Sequence, residues 1–234
     1  MLLRFPPSLL GGLLLAGGLV ATLPAAAQKV RIECLSFPKH SSESIELLIG
    51  PEKVVDVTLQ SHALSDPLVV PSLPVWKFGK SQVSDEGVFT FKTYGEVKPL
   101  SAARQLLVFI RKGKDAAAGF NILPLDANKA GFGANKMFIM NLARSRVAGD
   151  VGGKRFILTP GRHIIFKPAA NRGENLCFAA LRFERDKEWR TFFSTNWPIL
   201  KNSRGLVFVF DDPRSKSLKI HSVVDSLFEA PKPG

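Results

Sequence analysis

Short apolar runs alternate with turn residues along most of the chain. From residue 43 onward, runs rich in Val, Ile, Phe and Leu are separated by Gly, Pro, Asn, Asp and Ser at roughly ten-residue intervals, the spacing of an all-β protein. Within several runs, apolar and polar positions alternate, as in residues 89–92 (FTFK) and 218–221 (LKIH), which is the period of a half-buried strand. No window sustains a helical period, so the pattern predicts an all-β fold.

The predicted strands fall into two series. The first series comprises residues 44–49, 54–60, 68–70, 75–78, 88–94, 105–111 and 120–125. The second series comprises residues 137–142, 155–158, 163–167, 176–184, 189–195, 206–210 and 218–224. Each series contains about seven strands, which is the size of an immunoglobulin-like sandwich.

The two series also resemble each other in order, which indicates an internal duplication. The matched segments are 107–110 with 206–209, 120–122 with 218–220, 45–49 with 138–142, and 75–78 with 164–167. Residues 128–136, rich in Gly and Asn, are interpreted as a linker between two units. The alternative is one larger sandwich in which this segment is a long loop.

The second series carries a distinctive order of turns. Asn141 lies in an apolar strand, a Gly152-Gly153 turn follows, and residues 159–161 (TPG) lead into residues 163–166 (HIIF). This order resembles the immunoglobulin-like β-sandwich modules that recur, often in tandem, in bacterial periplasmic and secreted proteins. The resemblance implies two tandem sandwich units and a role in binding or scaffolding.

The first 27 residues predict a cleaved signal peptide. Arg4 makes the n-region basic, residues 9–19 form an apolar h-region, and residues 23–27 (LPAAA) precede a cleavage site before Gln28. A retained N-terminal anchor helix is the alternative. We expect an exported protein, periplasmic or extracellular, with no transmembrane span after cleavage. The predicted organisation is signal peptide 1–27, N-terminal extension 28–42, sandwich unit 1 at 43–127, linker 128–136, basic sandwich unit 2 at 137–229, and tail 230–234.

Positive charge is concentrated in the second half of the chain. Residues 43–127 carry 9 basic and 10 acidic side chains, whereas residues 128–234 carry 19 basic and 9 acidic side chains. Such a surface attracts polyanions in a salt-dependent way. The alternative is that the basic side chains serve solubility or pair with acidic groups. The predicted anion-binding residues are Arg144, Arg146, Lys154, Arg155, Arg162 and Lys167.

The chain has two cysteines, Cys34 and Cys177. In an oxidising compartment they are a possible disulfide; two buried thiols are the alternative.

Motifs for catalysis and for cofactor binding are absent from the sequence. The four histidines have no metal-ligand spacing, and there is no nucleophile elbow or phosphate-binding loop. We therefore expect a non-catalytic protein without a metal or cofactor. Its expected partner is an anionic envelope polymer or an acidic protein, and nucleic acid is not favoured. The alternative functions are a structural subunit joined by strand-edge pairing and, less favoured, a polysaccharide hydrolase, which would need two carboxylates roughly 5 to 10 Å apart.

Overall fold

Strands account for most of the part of the chain that the structure describes. The computed structural model describes residues 28–38, 42–113, 116–128, 130–171, 174–199, 202–212, 215 and 217–227. Helical geometry within these ranges is limited to one 3-10 turn at Ala116–Ala118. The predicted signal peptide (1–27) and tail (230–234) lie outside the described residues.

Each half of the chain contributes eight strands. The first eight are β1 (Lys29–Phe37), β2 (Glu43–Gly50), β3 (Lys53–Leu59), β4 (Leu68–Pro71), β5 (Trp76–Val83), β6 (Phe89–Val97), β7 (Arg104–Arg111) and β8 (Phe120–Asp126). The other eight are β9 (Met137–Asn141), β10 (Val147–Val151), β11 (Lys154–Leu158), β12 (His163–Phe166), β13 (Leu176–Arg185), β14 (Glu188–Pro198), β15 (Ser203–Asp211) and β16 (Leu218–Ser226).

The strands form two sandwiches of the same topology. In the first half, outer sheet 1 has the order β3-β2-β5-β6 and inner sheet 1 has the order β4-β1-β7-β8. In the second half, outer sheet 2 has the order β11-β10-β13-β14 and inner sheet 2 has the order β12-β9-β15-β16. The first strand of each half runs parallel to the seventh, β1 with β7 and β9 with β15. The prediction of an all-β fold with two tandem sandwich units is confirmed.

Inner sheet 1 is buried on both faces, because successive side chains of a strand point to opposite sides. In β7, Leu107 and Phe109 belong to the core between the two sheets of the first sandwich, which we call the first core. Leu106 and Val108 belong instead to a central core that inner sheet 1 shares with inner sheet 2.

Inner sheet 2 is buried in the same way. In β15, Leu206 and Phe208 face the central core. Val207 and Val209 face the third core, which lies between the two sheets of the second sandwich. The four sheets therefore stack in the order outer 1, inner 1, inner 2, outer 2. Among the described residues, the outer sheets present a face to solvent, whereas the central strands of the inner sheets are buried on both faces.

The prediction that residues 28–42 form an extension before the first sandwich is wrong for β1. This strand pairs with both β4 and β7 and lies in the middle of inner sheet 1. Cys34 faces the first core and Leu35 faces the central core. Because the later part of β1 is buried on both faces, it lacks the clean alternation that marks a half-buried strand.

The duplication is present in the topology, but the sequence matches only partly follow it. Segments 107–110 and 206–209 do lie in equivalent strands, β7 and β15. Their predicted register is nevertheless one residue out, since Leu107 faces the first core whereas Leu206 faces the central core. The matches of 45–49 with 138–142 and of 75–78 with 164–167 are wrong, because they pair β2 with β9 and β5 with β12, which occupy different places in the two sandwiches.

The predicted linker packs between the sandwiches. Phe132 is fully buried in the central core, with its ring centroid 6.1 Å from that of Phe138. The main-chain carbonyl of Phe132 accepts a hydrogen bond of 2.9 Å from Nη1 of Arg204. This segment therefore helps to fix one sandwich against the other.

A buried arginine also joins the two sandwiches. Arg204 of β15 is 1% exposed; its Nε donates to Asp225 of β16 (2.8 Å) and its Nη2 donates to Glu33 of β1 (3.0 Å). Burial raises the pKa of Asp225 above its usual range, although the Arg204 charge and hydrogen bond act in the opposite direction. One cation of the basic half is therefore an internal structural group.

Both cysteines are free and buried, in agreement with the alternative of two buried thiols rather than a disulfide. Cys34 lies in the first core and Cys177 in the third core, so both inner sheets stand between them. Burial raises the pKa of the Cys34 thiol to about 12 and also raises the pKa of Cys177. Since the thiolate is the reactive species, both groups are chemically inert in the fold.

We expect the native chain not to react with dithionitrobenzoate in mildly alkaline solution. After unfolding without a reductant, both thiols of each chain should react, because burial alone protects them. The measurement is the absorbance of the released thionitrobenzoate before and after addition of denaturant. Absence of reaction after unfolding would contradict the free-thiol assignment and point to a disulfide.

Candidate anion-binding surface

All six predicted anion-binding residues are exposed, but the fold divides them between two ends of the second sandwich. Arg144 and Arg146 precede β10, and Arg162 follows β11. At the other end, Lys154 and Arg155 begin β11 while Lys167 follows β12. Because β10 and β11 pair along their whole length from Val147 to Val151, the two ends are about 13 Å apart at the usual rise per residue.

Asn141, at the end of β9, organises the first group, which we call the Asn141 end. Its buried side-chain amide donates to the carbonyls of Ser145 (2.8 Å) and Leu158 (3.0 Å). Its own main chain donates to the carbonyl of Arg162 (2.9 Å) and accepts from the amide of Gly161 (2.7 Å). One side chain therefore ties the turn that carries Arg144 and Arg146 to the turn that carries Arg162.

The Asn141 end is partly neutralised. Nη1 of Arg146 lies 3.0 Å from the Glu184 carboxylate, and its guanidinium carbon lies 5.7 Å from the centroid of the Trp189 ring. Arg144 and Arg162 make no ion pair with any residue that the structure describes. Their charges are therefore available to a ligand, but both residues lie in turns rather than on a sheet face.

The second group is placed by the tight turn between β10 and β11. Gly152 and Gly153 both have positive φ, 55° and 77°, which favours glycine. A Cβ on Gly152 would lie 2.6 Å from Pro168, whose neighbour Ala169 donates its amide to the Gly152 carbonyl (3.0 Å). This packing brings Lys167 to the same end of the sandwich as Lys154.

Arg155 lies beside a groove on the solvent-facing side of outer sheet 2. The groove has a volume of about 710 Å³. Its floor is made by the small side chains of Ala148 and Ala180, on the neighbouring strands β10 and β13. Its sides are formed by Asp150, Arg155, Ile157 and Arg182.

The two guanidinium groups of this groove differ in their partners. Nε of Arg155 donates to Asp150 (3.1 Å), its cross-strand neighbour, and the Arg155 side chain is 87% exposed. Arg182 is exposed and makes no ion pair with any described residue. The groove therefore offers one free cation, one cation shared with a carboxylate, and a carboxylate that retains capacity to accept hydrogen bonds.

Arg182 was not among the predicted site residues. Residues 181–193 contain acidic side chains that nearly balance their basic ones, so the charge pattern alone does not single out Arg182. The alternation of side chains along a strand nevertheless indicates that Arg182 faces solvent. Leu181 belongs to the third core, and in a strand the next residue points to the other face.

No group of three or more His, Cys, Asp and Glu side chains within the part of the chain that the structure describes is placed to hold a metal ion. The described residues contain no helix that is long and apolar enough to cross a membrane.

The chain has a distant structural neighbour among proteins of known structure. Protein-family models and curated proteins both give no match to the chain. Among solved structures, the chain is similar to the crystal structure at 1.67 Å of a candidate cell adhesion protein from Bacteroides uniformis. The identity is 13%, the match covers 86% of this chain and 98% of that chain, and the TM-score is 0.21. Similarity at this level carries no information about function.

Proposed function

We propose that this chain is an exported, non-catalytic binding protein of the bacterial cell envelope. It captures an anionic polymer or an acidic partner through the outer sheet of its basic second half. The observation that carries the proposal is the groove on outer sheet 2, where Arg155 and Arg182 flank a floor of alanines on a solvent-facing sheet. Export rests on the N-terminal pattern of the sequence.

The energetics favour a polymer over a small anion. Each exposed cation contributes at most about 1 kcal/mol, so useful affinity requires several contacts along one ligand. Arg182 and Arg155 lie on the solvent-facing side of the sheet, while Lys154 and Lys167 lie at the end of the sandwich beside Arg155. A flexible anionic chain can contact several of them together, and its binding weakens as salt screens those contacts.

Charge reversal at this end of the sheet tests the proposal. We expect the Lys154→Glu/Arg155→Glu double variant to bind an immobilised sulfated dextran about 10-fold more weakly than the wild type, since two exposed contacts are lost. The measurement is the dissociation constant by surface plasmon resonance over a range of salt concentrations, in which the variant should also show a weaker salt dependence.

The matched control reverses two exposed lysines of the first sandwich. The Lys53→Glu/Lys77→Glu variant changes the net charge by the same amount on β3 and β5 of outer sheet 1. It should bind nearly as tightly as the wild type. Equal losses in both double variants would mean that overall charge, rather than this surface, governs binding.

A structural subunit joined by strand-edge pairing is the second candidate function. The observation that favours it is β16, which pairs with β15 in an unbroken register of nine residues and is the last strand of inner sheet 2. An open edge of this length can add a strand from another chain. This function predicts a partner complex that survives high salt, whereas the anionic-polymer function predicts one that dissociates.

A further inference from the structure

The solvent-facing side of outer sheet 2 carries acceptors and donors in addition to its cations. Across the sheet, Arg182 is the register partner of Thr191, Ala180 of Ser194, and Phe178 of Asn196. Directly paired residues point to the same face, so the three polar side chains of β14 extend the surface on which the groove lies. All three are exposed.

We infer that this surface recognises an acidic polysaccharide, a sugar chain that carries carboxylates separated by hydroxyl groups. The inference rests on the function proposed above and specifies the chemistry of the ligand. Arg155 and Arg182 bind the carboxylates. Asp150 and the polar side chains of β14 exchange hydrogen bonds with the hydroxyl groups.

Asp150 is the residue that separates this ligand from denser polyanions. Its carboxylate is 38% exposed, lines the groove, and lies on the strand between those of Arg155 and Arg182. A polymer whose neighbouring charges have no hydroxyl groups between them, such as polyphosphate, would place an anion against this carboxylate. A sugar chain instead places hydroxyl groups between its charges, and a carboxylate accepts hydrogen bonds from hydroxyl groups.

Two exposed apolar side chains fit the same ligand. Ile157 is 54% exposed and Phe178 is 47% exposed, and both lie on the solvent-facing side of the sheet. Sugar rings have apolar faces of C–H groups that pack against such side chains, whereas phosphate chains have none. The combination of spaced cations, a carboxylate and exposed apolar groups matches a ligand that is charged and amphipathic.

The corresponding face of the first sandwich has a different arrangement of charges. On outer sheet 1, Glu46 pairs with Asp56 across β2 and β3, so two acids occupy neighbouring positions. Glu46 is already held by the amide of Ser81 (2.6 Å) and by Lys80 (3.2 Å). The basic groove is therefore a property of the second sandwich, and Lys77 on outer sheet 1 provides a matched control position.

Three probes separate the parts of the inference. An oligogalacturonate carries both carboxylates and hydroxyl groups, its methyl ester keeps the hydroxyl groups without the charges, and a polyphosphate of similar length keeps charges without hydroxyl groups. Isothermal titration calorimetry should show the tightest binding for the oligogalacturonate. Arg182→Gln should weaken that binding by up to about 5-fold, as expected for loss of one exposed charge contact. Lys77→Gln should leave it unchanged.

The Asp150→Asn variant gives the sharpest result, because the two anionic probes should respond in opposite directions. Loss of the carboxylate should weaken oligogalacturonate binding and strengthen polyphosphate binding. The substituted residues are all exposed or half-exposed. A melting temperature equal to that of the wild type establishes that the fold of each variant is intact.

The outcomes distinguish the inference from the function on which it rests. The polysaccharide assignment would be overturned, and anion binding retained, by two results together. The wild type would bind polyphosphate at least as tightly as the oligogalacturonate, and Arg182→Gln would weaken the binding of polyphosphate. Weakening of both probes in Asp150→Asn would also overturn it. If neither probe nor the sulfated dextran binds, the proposed function itself is overturned.

Discussion

Replacing Arg204 with leucine should lower the free energy of unfolding by about 3–5 kcal/mol, the usual consequence of removing one partner of a buried ion pair. The guanidinium of Arg204 is fully buried and bonds to Glu33, to Asp225 and to the carbonyl of Phe132. The variant leaves two carboxylates with little exposure and removes their common cation. Urea denaturation followed by circular dichroism measures the loss.

Arg185→Leu is the matched control, because its guanidinium lies 3.7 Å from Asp186 with both side chains largely exposed. Its expected effect is within about 1 kcal/mol. A comparable loss in both variants would contradict the assignment of Arg204 as a joint between the sandwiches. Arg204→Lys keeps the charge without the three-way hydrogen bonding, so it should be intermediate.

The effect of Arg204→Leu should also depend on pH. The pKa of Asp225 is raised in the fold, so its ionised form disfavours folding and stability is recovered as the pH falls through that pKa. Without Arg204 the pKa of Asp225 should rise further. The difference between variant and wild type should therefore be smaller in mildly acidic solution than at neutral pH. A difference that grows on acidification would show that the carboxylate is not the destabilising group.

The parts of the fold predicted well from sequence are those with one face in solvent. β16 alternates apolar and polar residues along its length, and its predicted position overlaps the observed Leu218–Ser226 closely. The central strands of the inner sheets are different, because both of their faces are buried. In β9, all five residues are buried, so its run (MFIMN) predicts a strand without indicating which side chain faces which core.

That ambiguity explains the errors in the repeat register. The matches aligned one apolar run with another, and a shift by one residue exchanges the two faces of a strand. Leu107 was therefore aligned with Leu206, although the two lie in different cores. The strand pairings that resolve this come from contacts between distant parts of the chain.

The candidate site, like the fold, was predicted only in part from the sequence. The turns beside Lys154 and Arg162 were located from Gly and Pro patterns, and both residues are exposed, as is Arg144. Their division between two ends depends on how β10 pairs with β11. The burial of Arg204 depends on Glu33, 171 residues away, so no local pattern separates it from the surface cations.

The central core should make the two sandwiches unfold as one unit, and Phe208→Ala tests this. Phe208 is fully buried; its ring lies 5.2 Å from that of Phe37 in the first sandwich and 5.8 Å from that of Phe138 in the second. Truncation of a buried phenylalanine leaves a cavity and lowers the free energy of unfolding by about 3–5 kcal/mol. The measurement is differential scanning calorimetry of the full chain.

The control is Phe178→Ala, since Phe178 is 47% exposed on outer sheet 2 and its removal opens no internal cavity. The wild type should show one transition, which Phe208→Ala moves as a whole to lower temperature, because its cavity lies between sheets of both sandwiches. Two separate transitions in the wild type, or a shift of only one, would mean that each sandwich is stable without the other. In that case the buried contacts of Phe37, Phe132 and Arg204 would be an interface between independently folding domains rather than part of one cooperative core.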